Sequence, residues 1–211
     1  MLLSGVNLHQ AQYNVMEQSS SLLKTSYISY FENAIDSKLC STIINYYEKN
    51  AKWQASTFST STGISPITKK QVSMSDFWIG PELKYYKHLK ESFVNCVNKY
   101  TKQHPRVIPE NFTRFRMNRY SVGGYMKSHI DNIHHSHGQQ FGYPHITALL
   151  FLNDDYDGGD FILCDGEYEV PKKKGSCIIF PSNFMYPHEV KYVSKGIRYS
   201  VMTWIVWEIL Y

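Results

Sequence analysis

The sequence is short of the features that mark redox, membrane-spanning or strongly charged proteins. Four cysteines stand among 211 residues, Cys40, Cys96, Cys164 and Cys177, and no two of them form a Cys-x-x-Cys pair. That spacing indicates neither a zinc knuckle nor a redox dithiol, and reduced thiols in a cytoplasmic protein are the expectation. No run of about 18 apolar residues exists to cross a bilayer. The first residues also lack the basic and continuous apolar segments of a secretory signal, so a cytosolic protein without membrane contact is expected. Charge of one sign is scarce too: 22 Lys and Arg against 18 Asp and Glu leave +4, scattered apart from Lys172-Lys173-Lys174. So mild an excess does not indicate nucleic acid as a partner. Internal repeats and a glycine-rich phosphate loop are absent.

What the chain does have is a hydrophobic content of 43%, enough over this length to bury one substantial core. Residues 1–25 are polar and include Gln18-Ser19-Ser20-Ser21, which suggests a loosely ordered N-terminal extension. Residues 26–211 read as a single domain. Within it, DSKLCSTIINYYEKN spaces Leu39, Ile43, Ile44 and Tyr47 for a helix, with Asp36 or Ser37 as its cap. The Ser/Thr-rich stretch from Ser56 to Ser75, broken by Gly63 and Pro66, marks a long loop of the kind that often serves as a lid. Pro81 is then expected to open a second helix running through Leu83, Tyr86, Leu89, Phe93 and Val97 toward Tyr100.

From Phe112 onward the pattern changes to short β-branched and aromatic runs punctuated by Gly, Asn, Asp and Pro. Strands are predicted at 112–120, 126–131, 145–152, 160–164, 167–170, 175–180, 188–193 and 197–207. The fold class is therefore α+β and mostly β. It is a double-stranded β-helix, or jelly roll, with the core at 112–207 and N-terminal helical support at 36–102 packed on one sheet. Gly158-Gly159 is expected to permit a tight turn and a close approach of the next strand. Cys164 and Cys177 fall in strand runs and read as small buried hydrophobes.

The chemistry concentrates in two segments. In MKSHID, His129 and Asp131 lie two apart on a predicted strand, so both side chains face the same way. His188, in YPHEV at the start of a later strand, is the candidate third ligand. Two imidazoles and one carboxylate on one side of a metal leave positions open, the requirement of iron(II) oxygenases. His-x-Asp alone is a pattern that chance supplies, and the same set also suits zinc with a bound water. His134, His135, His137 and His145 follow it, but no fixed spacing puts them on one face, and a polar loop toward substrate is the preferred reading.

Arg198 lies ten residues after His188. A continuous strand of that length would separate them by roughly 33 Å. The turn-like Ser194-Lys195-Gly196 predicts a hairpin that sets Arg198 opposite Tyr192, on the order of 13 Å from His188. Arg198, Ser200, Met202 and Trp204 then share one inward face. A buried arginine needs an anion, and a dicarboxylate can supply one.

These residues carry a family resemblance. The pieces RFRMNRYSVGGYMKSHID, HITALLFLNDDYDGGDFIL, KKGSCIIFPSNFMYPHEV and KGIRYSVMTW, in this order from Phe112 to Trp207, resemble the core of the 2-oxoglutarate/Fe(II) dioxygenases, specifically the prolyl 4-hydroxylase-like group. The resemblance implies His129, Asp131 and His188 as both metal ligands and catalytic centre. It implies Arg198 as the grip on the C5 carboxylate of 2-oxoglutarate, and Tyr120, Thr147 and Trp204 as further co-substrate-pocket residues. Phe151 stands where some relatives place a tyrosine and lacks its hydroxyl. Fe(II), 2-oxoglutarate and O2 are the implied cofactors and co-substrates, with ascorbate as reductant. Hydroxylation of prolyl residues in a peptide or protein is the implied activity. The alternatives are a dioxygenase for a nucleic acid base, a free amino acid or another side chain, and a metal-binding jelly roll without turnover.

Overall fold

The computed structural model describes residues 25–56, 59–60, 63–64, 71–131 and 143–207. Their elements are, in order, β1 (Ser29–Phe31), α1 (Ser37–Asn50), β2 (Gln54–Ala55), β3 (Ser59–Thr60), β4 (Gly63–Ile64), β5 (Val72–Ser73), β6 (Ser75–Ile79), α2 (Tyr86–Gln103), β7 (Asn111–Phe112), β8 (Phe115–Tyr120), β9 (Tyr125–His129), β10 (Tyr143–Phe151), β11 (Asp157–Gly158), β12 (Phe161–Leu163), β13 (Tyr168–Glu169), β14 (Cys177–Pro181), β15 (His188–Val190), β16 (Val193–Lys195) and β17 (Arg198–Trp207). The expected N-terminal extension and most of the expected lid loop lie outside the described residues.

Alternation along the strands builds two main sheets, beside two two-stranded pairs, β3-β4 and β11-β16. The larger has eight strands in the order β1-β14-β10-β17-β8-β6-β2, with β7 beside β17, and the smaller has five in the order β13-β12-β15-β9-β5. Pairing within both is antiparallel. Along β10 and β17 the odd and even residues part company, as a period of two requires. Ala148, Leu150, Tyr199 and Val201 pack toward the helices, while Leu149, Phe151, Met202 and Trp204 pack toward the smaller sheet. The larger sheet thus separates a helix-side core from an inter-sheet core, and the site lies in the latter.

The helices cover one face of the larger sheet, as expected. Asp36 caps α1 by accepting from the Leu39 amide at 2.8 Å, a contact of about 1 kcal/mol. Cys40, Ile43 and Tyr47 recur at helical spacing on its buried face. The second helix starts later than Pro81 suggested. Residues 81–85 form a turn, because Tyr85 takes a left-handed backbone (φ 67) and the Lys84 carbonyl accepts from the Tyr47 hydroxyl, tying the turn to α1. All four cysteines are buried and none forms a disulfide among the described residues. Cys164 sits in a 3-10 turn after β12 rather than in a strand.

Gly158 and Gly159 both have positive φ, 68° and 63°. A β-carbon on Gly158 would stand 2.3 Å from the Tyr192 carbonyl oxygen, and one on Gly159 only 3.2 Å from Cδ of Arg198. The close approach expected of this pair is real, and its neighbour is the arginine of the site.

Candidate metal centre

His129 ends β9 and His188 opens β15, and the register of these paired strands places the two residues opposite each other. Their rings lie 4.3 Å apart between centroids. Asp131 follows β9 in a bend, so its approach comes from the chain turning out of the strand rather than from an unbroken strand to 131. Its Oδ1 lies 3.7 Å from Nε2 of His129 and its Oδ2 lies 3.6 Å from Nε2 of His188. One ligand atom from each of the three falls within 4.8 Å of the others.

The imidazoles are oriented by the backbone. Nδ1 of His129 lies 2.9 Å from the Lys127 carbonyl, and Nδ1 of His188 lies 3.1 Å from that of Tyr186. A carbonyl can only accept, so each Nδ1 carries the hydrogen and each Nε2 turns a lone pair inward. Burial and the neighbouring His188 push the His129 pKa down to about 3, against the opposing pull of Asp131. Asp131 is itself held below the usual carboxylate range by the two histidines and by the hydrogen bond from Thr147, which together outweigh its burial. Three converging lone-pair atoms with few protons among them form a site that a cation completes, and two nitrogens and one oxygen fit ferrous iron with positions left open.

The second half of the pocket is cationic. Arg198 is 1% exposed. Its Nη1 donates to Ser200 Oγ at 3.1 Å, while Nε and Nη2, both buried, meet no hydrogen-bond acceptor among the described residues. The guanidinium carbon lies 5.1 Å from the ring centre of Tyr120, 5.5 Å from that of Phe151 and 6.0 Å from that of Phe161. Aromatic faces moderate a buried cation but do not satisfy its N–H groups. Two orphaned donors on a planar fork fit a carboxylate, and the pocket that Arg198 lines is the one lined by His129, Asp131 and His188.

The route by which Arg198 gets there differs from the expected hairpin. Ser194 and Lys195 belong to β16, which pairs with β11, and Arg198 stands opposite Tyr120 on β8 rather than opposite Tyr192. The reason is topological: β15 lies in the smaller sheet and β17 in the larger one, so the segment between them crosses from one sheet to the other. The shared face of Arg198, Ser200, Met202 and Trp204 survives this change, since it depends only on strand parity.

Tyr120 lines the pocket across from Arg198, and burial raises its phenol pKa although Arg198 opposes the shift. Thr147 lines the pocket as well, but its hydroxyl donates to Asp131 Oδ2 at 2.6 Å and lies 2.9 Å from Ser182 Oγ. Trp204 stands opposite Thr147 in the register. Thr147 therefore stands against Asp131, and Trp204 against Thr147. Phe151 presents its ring to Arg198, in place of the hydroxyl a tyrosine would bring. His145 is exposed on β10 and takes no part in the three-ligand group, and His134, His135 and His137 lie outside the described residues. Ser182, Asn118 and Arg116 were not anticipated, and strand parity with Tyr120 is the one signal that pointed to the last two. The Lys172–Lys174 run is engaged within the chain, with Lys172 3.2 Å from Asp160, Lys173 paired to Glu32 and Lys174 2.6 Å from Ser41 Oγ.

Comparison with known proteins agrees with this geometry. Residues 115–206 match the sequence model of the 2OG-Fe(II) oxygenase superfamily. A PKHD-type hydroxylase of Stenotrophomonas maltophilia is 35% identical over 104 residues, 46% of this chain and 45% of the relative. The chain thus spans about half the length of the curated relatives it matches. Among solved structures, a collagen prolyl hydroxylase of Paramecium Bursaria Chlorella virus-1, in complex with 2-oxoglutarate, superposes with TM-score 0.64 at 16% identity, covering 84% of this chain and 94% of that one. A Trichoplax adhaerens prolyl hydroxylase bound to a hypoxia inducible factor peptide fragment gives 0.64 at 19% identity, covering 96% and 94%.

Proposed function

From a chain that carries a 2OG-Fe(II) oxygenase domain over residues 115–206, we propose an enzyme that hydroxylates prolyl residues of a peptide or protein at the expense of 2-oxoglutarate and O2. One observation carries the catalytic part: the buried, two-fold orphaned guanidinium of Arg198 shares a pocket with His129, Asp131 and His188. A bare structural metal site has no use for such an anion seat. The prolyl part is supported by the likeness to PKHD-type and prolyl hydroxylases. In this reading the domain spans 26–211, its facing sheets form a jelly roll, and ascorbate keeps the metal reduced. Four buried cysteines without a disulfide among the described residues support a reducing, cytoplasmic setting. Among the described residues no helix is long and apolar enough to cross a membrane.

Ferrous iron with 2-oxoglutarate and O2 supplies the oxidation that places a hydroxyl on an unactivated C–H bond and leaves succinate and CO2. The chain supplies the rest. His129 and His188 offer Nε2 to the metal, each aligned by its Nδ1–H on a backbone carbonyl. Asp131 offers a carboxylate oriented by Thr147, which Ser182 backs in turn. Arg198 receives the distal carboxylate of 2-oxoglutarate, and Tyr120, Phe151 and Phe161 wall that end from water. The test is incubation of the protein with iron(II), ascorbate, 2-oxoglutarate and a proline-containing peptide library, read by mass spectrometry. Prolyl products heavier by one oxygen atom, lost in His129→Ala, are expected. Oxygen gained only by non-prolyl residues would refute the substrate class, and no succinate above the mutant background would refute turnover.

A further inference from the structure

The larger sheet carries a group of side chains that the co-substrate reading leaves unused. Trp78 on β6 stands opposite Arg116 on β8, and Asp76 stands opposite Asn118. Arg116 lines the metal pocket. It lies four residues along β8 from Tyr120, on the order of 13 Å from the end where Arg198 sits. Trp78 is a large aromatic left 39% exposed. Its ring centre is 6.2 Å from that of Trp204 and 5.9 Å from the Arg116 guanidinium carbon. Trp204 stands opposite Thr147, whose hydroxyl donates to Asp131, so packed side chains lead from Asp131 to an exposed indole beside the pocket arginine Arg116.

The two pocket arginines differ in one respect that bears on substrate. Arg198 has no acidic partner among the described residues. Arg116 donates to Asp76 Oδ2 twice, from Nε at 2.9 Å and from Nη2 at 2.6 Å, and Nη2 also meets Ser56 Oγ. Its side chain is 11% exposed, so this ion pair is shielded and its net charge is cancelled close at hand. No acceptor among the described residues reaches Nη1. Trp78 and Arg116 together therefore offer an aromatic face and a directional N–H donor without net positive charge. A phosphate backbone calls for uncompensated cations, whereas a peptide carbonyl calls for one donor and a pyrrolidine ring for an apolar face.

Deepening the prolyl-peptide reading on which it rests, we infer that Trp78 and Arg116 form a substrate seat. An apolar or prolyl ring packs on the Trp78 indole, a substrate carbonyl accepts from Nη1 of Arg116, and Asp76 sets the specificity by excluding anions. Binding is measured on the full chain loaded with Mn(II) and 2-oxoglutarate, with poly-L-proline and oligothymidylate as probes and calorimetry as readout. Trp78→Ala is expected to weaken poly-L-proline about tenfold, and Trp78→Phe, which keeps an aromatic face, to restore most of the loss. Asp76→Asn keeps the shape but frees the Arg116 charge, and it should gain affinity for oligothymidylate that wild type lacks. Equal affinity of wild type and Trp78→Ala for poly-L-proline overturns the seat and leaves the prolyl reading standing. Wild type that binds 2-oxoglutarate but not poly-L-proline overturns both. Oligothymidylate bound as well by wild type as by Asp76→Asn overturns the charge argument.

Discussion

Replacing Arg198 with methionine should separate ligand binding from stability, with opposite signs. Arg198 is 1% exposed and two of its three guanidine nitrogens have no acceptor among the described residues. A carboxylate arriving there gains charge-assisted hydrogen bonds worth about 1.5–3 kcal/mol each. Losing two of them costs about 3 kcal/mol or more, at least roughly a hundredfold in 2-oxoglutarate affinity. The ligand-free protein responds the other way. A buried unpaired charge is a burden on the fold, and well-packed apolar replacements of buried charges are often neutral or stabilising by about 1–4 kcal/mol. Methionine fills much of the same space against Tyr120, Phe151 and Phe161. Scanning calorimetry with Mn(II), with and without 2-oxoglutarate, reads both effects. Wild type should melt higher when 2-oxoglutarate is added. Arg198→Met should melt as high as ligand-free wild type or a few degrees above it, and should ignore the ligand. A variant that still binds 2-oxoglutarate within a few-fold of wild type, or that loses about 3 kcal/mol of ligand-free stability, would refute the reasoning.

Further outcomes follow from the same contacts. Thr147→Val removes the hydroxyl that orients Asp131 and should lower metal affinity by about 10–100-fold, with Thr147→Ser recovering most of it in a metal titration. Gly159→Ala puts a β-carbon at φ +63°, 2.9 Å from Val193 Cγ2 and 3.2 Å from Arg198 Cδ. Denaturant unfolding should show a loss of about 1–3 kcal/mol, and 2-oxoglutarate should bind more weakly. In the metal-free protein His129 stays neutral to about pH 3, while in the unfolded chain an imidazole protonates near pH 6.5. The unfolded state therefore binds more protons over that window, and stability should fall as pH drops through it. His129→Gln should flatten that part of the profile in thermal melts.

Much of this was legible in the sequence because it is local. The alternation of apolar residues placed most strands from β8 to β17 within a few residues, though not β11 or β16, and His-x-Asp gave two candidate ligands at one strand end. Asp36 announced α1 by its own side-chain chemistry. Pairing between distant strands was not legible. That Arg198 meets Tyr120 rather than Tyr192 depends on β17 joining the larger sheet while β15 joins the smaller one, and a turn-like Ser-Lys-Gly carries no information on that choice. The late start of α2 depends on a tyrosine thirty-odd residues upstream holding Lys84. Ser182, which supports Thr147, and the Asp76–Arg116 pair are ordinary residues at unremarked spacings. Their roles arise only when β14, β10, β6 and β8 lie side by side.

The most direct test is an anaerobic titration of metal-free protein with iron(II), followed by 2-oxoglutarate. The account predicts one iron per chain, no tight binding in Asp131→Ala or His188→Ala, and one 2-oxoglutarate taken up at full affinity only after the metal and only with Arg198 in place. Iron held with undiminished affinity when either ligand is replaced would contradict it.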